Sequence, residues 1–392
     1  MTTLSKINAW LHLWLGLVSG IIVFIVALTG CILVFEQEFE SLTQPWLHVE
    51  RPANAPYLTP SVIQNKVAPL FPNKKITGIW YYGHERSAQI SMNSDSLVYV
   101  NPYTAAVVGI VDHDNFFHFV LEGHTELWIE SKIGDVAIGP TIVGYATLIF
   151  FVLLVSGLIL WWPKKWNKSN RDKSFKIKWN AKFKRVNYDL HNVLGFYALI
   201  VALLITITGL SMSFSWVAKS VYWLSSGGGA TAPFTRSFSD TTKIVPNVAM
   251  RNVDIAFQKG IESVGVYNKD AIIVSFPQKP ADAIALCVDM YNGSWRYVNL
   301  DQYTLKELPS TQVQIDDLNV ADWIRRTNYA IHVGAIGNIP TKILYFLASL
   351  ICATLPVTGF YVWWGRSRFS KSKTKKSKKT SSTSLENETE NV

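Results

Sequence analysis

The sequence predicts a membrane protein with four transmembrane α-helices and two α+β domains on the outer side, the second half repeating the plan of the first. Three observations carry this. Apolar residues make up 49% of the 392-residue chain and are bunched into four runs, each long enough for a hydrocarbon core of about 30 Å, which takes roughly 20 helical residues. Basic residues crowd the alternate connections between those runs. The spans also match one another pairwise.

The first span, residues 11–35, is longer than a signal-peptide apolar segment and lacks a small-x-small cleavage site, so it reads as a retained anchor. Residues 36–126 form the first outer module. There "PSVIQNKVAPLF" has helical periodicity, and "ITGIWYYG", "AQISMNS" and "SLVYVNPYTAAVVGI" read as strands. The second span is 138–162 and the link 163–190 follows it. The third span is 191–216. In the second outer module, 217–333, "SSGGGATAPFT" is a flexible entrance, "NVDIAFQKGI" a helix, and "AIIVSFP", "AIALCVDM" and "WRYVNLDQYTLKEL" strands. The fourth span is 338–364 and the tail 365–392.

Orientation follows from lysine and arginine, which accumulate on the cytoplasmic side of a membrane. The link from Pro163 to Leu190 has ten basic and two acidic residues, and the tail after Trp364 has eight and three. The segments Glu36 to Ala137 and Val217 to Gly337 have six against twelve and eleven against eleven. Both termini and the link therefore face the cytoplasm, and both modules face outward. The net charge of +9 reads as topology, not nucleic-acid binding. The Lys-rich tail, Lys371 to Lys379, would meet anionic membrane lipid.

The pairwise match is specific. His12 and His191 are each followed by glycine after four residues (Gly16, Gly195), by a Thr-Gly pair at seventeen and eighteen (Thr29-Gly30, Thr208-Gly209) and by Phe at twenty-three (Phe35, Phe214). The second and fourth spans end "VSGLILWWPKK" and "VTGFYVWWGRS", with Gly157 and Gly359 four residues before a Trp pair. Those pairs sit where amphipathic rings anchor a span at the interface.

Four of the eight histidines flank spans. His12 and His191 lie at the cytoplasmic ends of the first and third, while His124 and His332 lie just before the second and fourth on the outer face. A ring at a membrane boundary can simply rest among headgroups. Pairing at one depth, twice, on matching helices is instead what axial ligation of two haem irons needs, one imidazole above and one below each macrocycle. Gly16 and Gly195 lie one turn beyond His12 and His191 on the same face and leave room for a flat ring, with Gly20 extending the bare stripe. Gly16 and Gly20 also spell a G-x-x-x-G that serves helix packing. Zinc finds no Cys, Asp or Glu at ligand spacing inside the spans. His118 is an alternative to His124, with His113 nearby, while His48 and His84 read as solvated loop residues.

Other chemistry is missing from the sequence. Cys31, Cys287 and Cys352 have no metal or redox spacing. No G-x-S-x-G, H-E-x-x-H, C-x-x-C or G-x-G-x-x-G motif occurs, so neither a hydrolase site nor a dinucleotide site is expected.

The two His-x-x-x-Gly to Thr-Gly helices, "LEGHTELWI", "IHVGAIGNIPTK", the two Trp-Trp exits and the paired outer modules resemble the PepSY-associated transmembrane proteins. These are bacterial iron-regulated membrane proteins that include inner-membrane ferrisiderophore reductases. The likeness runs from about Leu11 to Arg366. It implies two periplasmic PepSY-like domains and two b-type haems held by His12, His191, His124 and His332. It also implies an inner-membrane oxidoreductase that takes electrons from a donor the sequence does not identify and reduces a ferric siderophore or other ferric chelate. One departure concerns the outer entrances: His124 precedes Gly134 by ten residues, His332 precedes Gly337 by five. The family implies a second expectation of another class, a membrane-anchored protein whose PepSY modules bind a partner or regulate a peptidase without redox chemistry.

Overall fold

The computed structural model describes residues 2–93, 96–112, 114–163, 165–232, 235–244, 249–291 and 293–389. In chain order the elements are α1 (Thr3–Leu33), α2 (Glu36–Thr43), α3 (Pro60–Val67), β1 (Ile76–Tyr81), β2 (Ala88–Met92), β3 (Ser96–Val100), β4 (Val107–Asp112) and α4 (Phe116–Glu126). A short hairpin, β5 (Lys132–Ile133) and β6 (Val136–Ala137), leads into α5 (Ile138–Trp161), followed by α6 (Lys168–Phe175) and α7 (Phe183–Asp189). A π-helical segment, Leu190–Leu194, joins α7 to α8 (Gly195–Ser213). Then come α9 (Ser215–Ser225), α10 (Ala249–Lys259), β7 (Ile272–Ser275), β8 (Ala283–Tyr291), β9 (Ser294–Asp301), α11 (Val320–His332) and α12 (Asn338–Thr389).

The chain forms two compact units. Residues 1–32, 121–213 and 343–392 make one, and residues 33–120 and 214–342 make the other. The first holds the apolar helices. Among the described residues four stretches are long and apolar enough to cross a membrane: Thr3–Leu33, Ile138–Trp161, Phe183–Ser213 and Ala335–Gly365. The third starts earlier than the sequence suggested, because α7, the π segment and α8 run on as one rod. Leu154, Leu199, Ala202 and Cys352 form a buried seam between α5, α8 and α12. Aliphatic residues such as Val18, Ile21 and Ile200 point outward and are more than 70% exposed, the arrangement expected where lipid is the solvent.

The first Trp pair divides its work. Trp161 is buried, stacks on Phe196 with ring centres 3.7 Å apart and planes 6° from parallel, and donates its Nε1–H to the Ser174 carbonyl. Trp162 is 60% exposed. Only the second of this pair presents the exposed ring that an interface anchor needs, and the first fastens α6 and α8 to the end of α5.

In the second unit the two outer modules do not stand apart. They contribute four and three strands to one antiparallel sheet of order β4-β3-β2-β1-β7-β8-β9. Each module alone would leave β1 or β7 as an edge with unpaired backbone groups, and pairing them removes both edges. At the seam Gly78 lies opposite Ser275, and a side chain there would stand 2.6 Å from the Val274 carbonyl oxygen. One sheet face carries Ile79, Tyr81, Ile90, Val98, Val100, Ile272, Val274, Ile284, Leu286 and Val298. Ile63 and Val67 of α3 and Val253, Ala256 and Phe257 of α10 pack with them in one core. This is a two-layer α/β packing, in which burying one such side chain contributes about 1.5–3 kcal/mol. Asp254 of α10 accepts from the Ser61 backbone N–H at the start of α3, at 2.9 Å, and from its hydroxyl.

Candidate functional site

His12 on α1 and His191 in the π segment come together inside the helical unit, with ring centres 6.4 Å apart and planes at 86°. The π segment inserts one extra residue per turn at this point. Such bulges alter side-chain direction locally and recur at functional sites. Just before it the carboxylate of Asp189, fully buried, is paired with Arg185: Nε donates to Oδ2 at 2.9 Å, and Nη2 lies 2.8 Å from Oδ1 without the alignment of a hydrogen bond. The Lys178 backbone N–H donates to Oδ2 as well. The helix that presents His191 is thus anchored two residues away.

Both rings are gripped in the same way. Asn8, one turn before His12, donates its side-chain amide to the Ser156 carbonyl at 3.1 Å, while His12 Nδ1 lies 2.9 Å from Ser156 Oγ. Asn187, one turn before His191, donates to the Thr358 carbonyl at 3.0 Å, while His191 Nδ1 lies 2.9 Å from Thr358 Oγ1. In each case an Asn-x-x-x-His on one helix reads a single Ser or Thr on a neighbour. The hydroxyl protons are already committed, Ser156 donating to the Leu153 carbonyl and Thr358 to those of Thr354 and Leu355. The hydroxyl oxygens therefore accept from Nδ1–H. Each imidazole is held as the Nδ1–H tautomer and Nε2 carries the lone pair, the nitrogen a metal would take.

Glycines complete the seats. A methyl group on Gly157 would stand 3.2 Å from His12 Cε1, and one on Gly359 the same distance from His191 Cε1. Gly16 and Gly195 behave differently. Side chains there would meet only Leu153 at 3.8 Å and Leu355 at 3.5 Å, ordinary van der Waals separations, so helix packing does not demand glycine at either position. Gly20 does serve packing: a methyl there would lie 3.3 Å from the ring of Pro356, inside α12. It therefore belongs to a helix contact and not to the bare stripe expected from the sequence.

His124 sits at the opposite end of the bundle in a third seat. Its Nδ1 lies 2.9 Å from the Val26 carbonyl and 3.1 Å from Thr29 Oγ1, and its Cε1 lies 3.2 Å from where a methyl on Gly30 would be. A carbonyl only accepts, so this imidazole too is the Nδ1–H tautomer. His118, on α4, instead lies 3.6 Å from Asp114, which precedes that helix. His332 is the last residue of α11, in the other unit. His113 lies outside the described residues. His48 is exposed in a connecting segment, as expected, with its Nε2 donating to the Ser41 carbonyl at 2.6 Å, whereas His84 is half-buried in its turn with Nε2 2.8 Å from Asp270 Oδ1.

The asparagines, Ser156, Thr358 and Thr29 escaped the reading of the sequence as partners of the histidines. A signal was present. Each of the four spans holds a Ser/Thr-Gly pair near one end, at Thr29-Gly30, Ser156-Gly157, Thr208-Gly209 and Thr358-Gly359, the first span carrying Ser19-Gly20 as well, and Asn-x-x-x-His occurs at Asn8, Asn187 and Asn328. Among the described residues no three His, Cys, Asp or Glu side chains gather where they could hold a metal ion by themselves. The His12–His191 site offers two neutral imidazoles and no third ligand.

No curated protein matches the chain in sequence. The family described as the PepSY-associated TM region matches residues 9–366. The chain, with its four apolar helices and its sheet-containing unit, belongs to that family.

Proposed function

We propose that this protein is a dihaem b-type oxidoreductase of the bacterial inner membrane, with both termini cytoplasmic and the sheet unit periplasmic. In this reading it carries electrons outward to reduce iron held in a ferric siderophore or similar chelate. His12 and His191 would hold the iron of one haem, and His124 and His332 that of a second. The place of His332 rests on the sequence pattern.

The single observation that carries the reading is the His12–His191 pair. Two metal–nitrogen bonds of about 2 Å laid end to end, plus the reach from each nitrogen to its ring centre, separate two imidazole centres by roughly 6 Å. The rings lie 6.4 Å apart. A zinc site wants three or four protein ligands, whereas haem brings four nitrogens and asks the protein for one or two. The donor set therefore fits haem better than a bare ion. When bound, haem supplies a one-electron Fe(III)/Fe(II) couple within the low-dielectric bundle. The protein's part is to hold both imidazoles neutral, oriented and shielded from water. Gly16 and Gly195 fit a macrocycle beside the pair, since packing leaves the space of a side chain at each.

The proposal is tested in sealed proteoliposomes. A reductant is confined to the side of the chain termini and a ferric chelate to the other, and ferrous iron is trapped with a colorimetric chelator. Ferrous iron should accumulate with haem-loaded protein and stay at the protein-free background with His191→Ala. Equal rates for wild type and His191→Ala would refute electron transfer through this pair and favour a partner-binding role for the PepSY modules.

A further inference from the structure

The geometry points to Asn8 with Ser156, and Asn187 with Thr358, as two positioning clamps that set the tautomer and direction of the inner histidines and thereby tune the iron they hold. The inference rests on the haem reading and deepens it, because it concerns residues that touch no cofactor.

The arrangement repeats across non-identical sequence. "NAWLH" grips Ser156 and "NYDLH" grips Thr358, in each case with the amide on the carbonyl and the imidazole on the hydroxyl of one residue. The distances agree to 0.1 Å. A generic helix contact would need neither donor. An Asn amide on a helix carbonyl uses the second lone pair of an acceptor already in a ladder, and i, i+4 spacing places that amide and the ring on one face. Two hydrogen bonds to one residue fix the depth of the ring along the neighbouring helix, while the following glycine sets how closely it approaches. A free neutral histidine side chain prefers its proton on Nε2. Holding it on Nδ1 is thus work that Ser156 shares with the Leu153 carbonyl and Thr358 with the Leu355 carbonyl, and it exposes Nε2 to a metal. An acceptor on Nδ1–H also raises the basicity of the ligand and favours the ferric over the ferrous state.

The test uses full-length protein carrying Thr358→Val, which keeps the shape and removes the acceptor, alongside Thr358→Ser as the conservative variant and Asn187→Ala for the second bond. Two readouts are taken. One is the midpoint potential of each haem by optical titration. The other is the ¹⁵N spectrum of histidine-labelled protein prepared without haem, with the His191 signals identified by their loss in His191→Ala. The wild type should show His191 protonated at Nδ1. Because the Leu355 carbonyl still accepts from the ring, Thr358→Val should shift the tautomer balance toward Nε2–H and raise the potential of one haem only, and Thr358→Ser should restore both values. Wild-type His191 protonated at Nε2, or potentials and ¹⁵N signals that Thr358→Val and Asn187→Ala both leave unchanged, would overturn the clamp. A wild type that binds no haem, yet whose tautomer balance shifts in Thr358→Val, would refute the haem reading while upholding the positioning role.

Discussion

Glycine and histidine meet three times in the helical bundle, and at each meeting one added carbon would press on an imidazole. A methyl at Gly359 stands 3.2 Å from His191 Cε1, tighter than ordinary van der Waals contact. The neighbouring Thr358 bond resists any retreat of the ring. Gly359→Ala should therefore lower haem retention by roughly tenfold, about 1.4 kcal/mol of lost complementarity, and the pyridine haemochrome assay reads this directly. Gly16→Ala reports on another surface: nothing in the protein blocks the methyl, so haem loss there with an unchanged melting temperature would mark that face as lying against the macrocycle. Outside the bundle, burial pushes the Cys287 thiol up to about 12, and the side chain is 2% exposed. At pH 8 it should resist alkylation until the sheet unfolds, as peptide mapping with and without denaturant would show. The histidines and the His-to-Gly spacing were legible in the sequence. Their partners were not, because Ser156 lies 144 positions from His12 and a single chain does not say which helices touch.

Helices and strands were easier to foresee than the joins between them. The strand segments fell where alternation placed them, since β1, β7, β8 and β9 turn one apolar face inward over α3 and α10. Their union into one sheet was not visible. It depends on which edges meet, and the only local mark is Gly78. Gly78→Ala would drive a carbon to 2.6 Å from a strand carbonyl and should destabilise the sheet unit by about 1–3 kcal/mol. Phe257→Ala, which empties the fully buried centre of α10, should cost about 3–5 kcal/mol. Thermal melts of the purified protein would read both. The π segment at His191 was hidden as well. "DLHNVLG" carries no local propensity that distinguishes a π turn from an α turn, and buried Asp189, paired with Arg185, stands where the rod changes its winding.

At the scale of the whole molecule, α1 links two seats. His12 and Gly30, the residue under His124, lie eighteen positions apart on one helix, about 27 Å at 1.5 Å per residue. Two redox centres near the ends of the bundle would divide that distance into shorter electron steps, which one centre could not do. The four spans and the alternating basic connections were plain in the sequence because length, apolarity and charge are additive along the chain. The proposed electron transfer draws on the histidines alone. The central claim is that His12 and His191 share one iron. Quantified haem and reduced-minus-oxidised spectra of wild type, His12→Ala, His191→Ala and the double variant test it most directly. The account predicts two low-spin b-type haems per chain in the wild type, and loss or conversion to high spin of the same spectral component in either single variant, with no further loss in the double. Haem absent from the wild type, or different components lost in the two single variants, would contradict it.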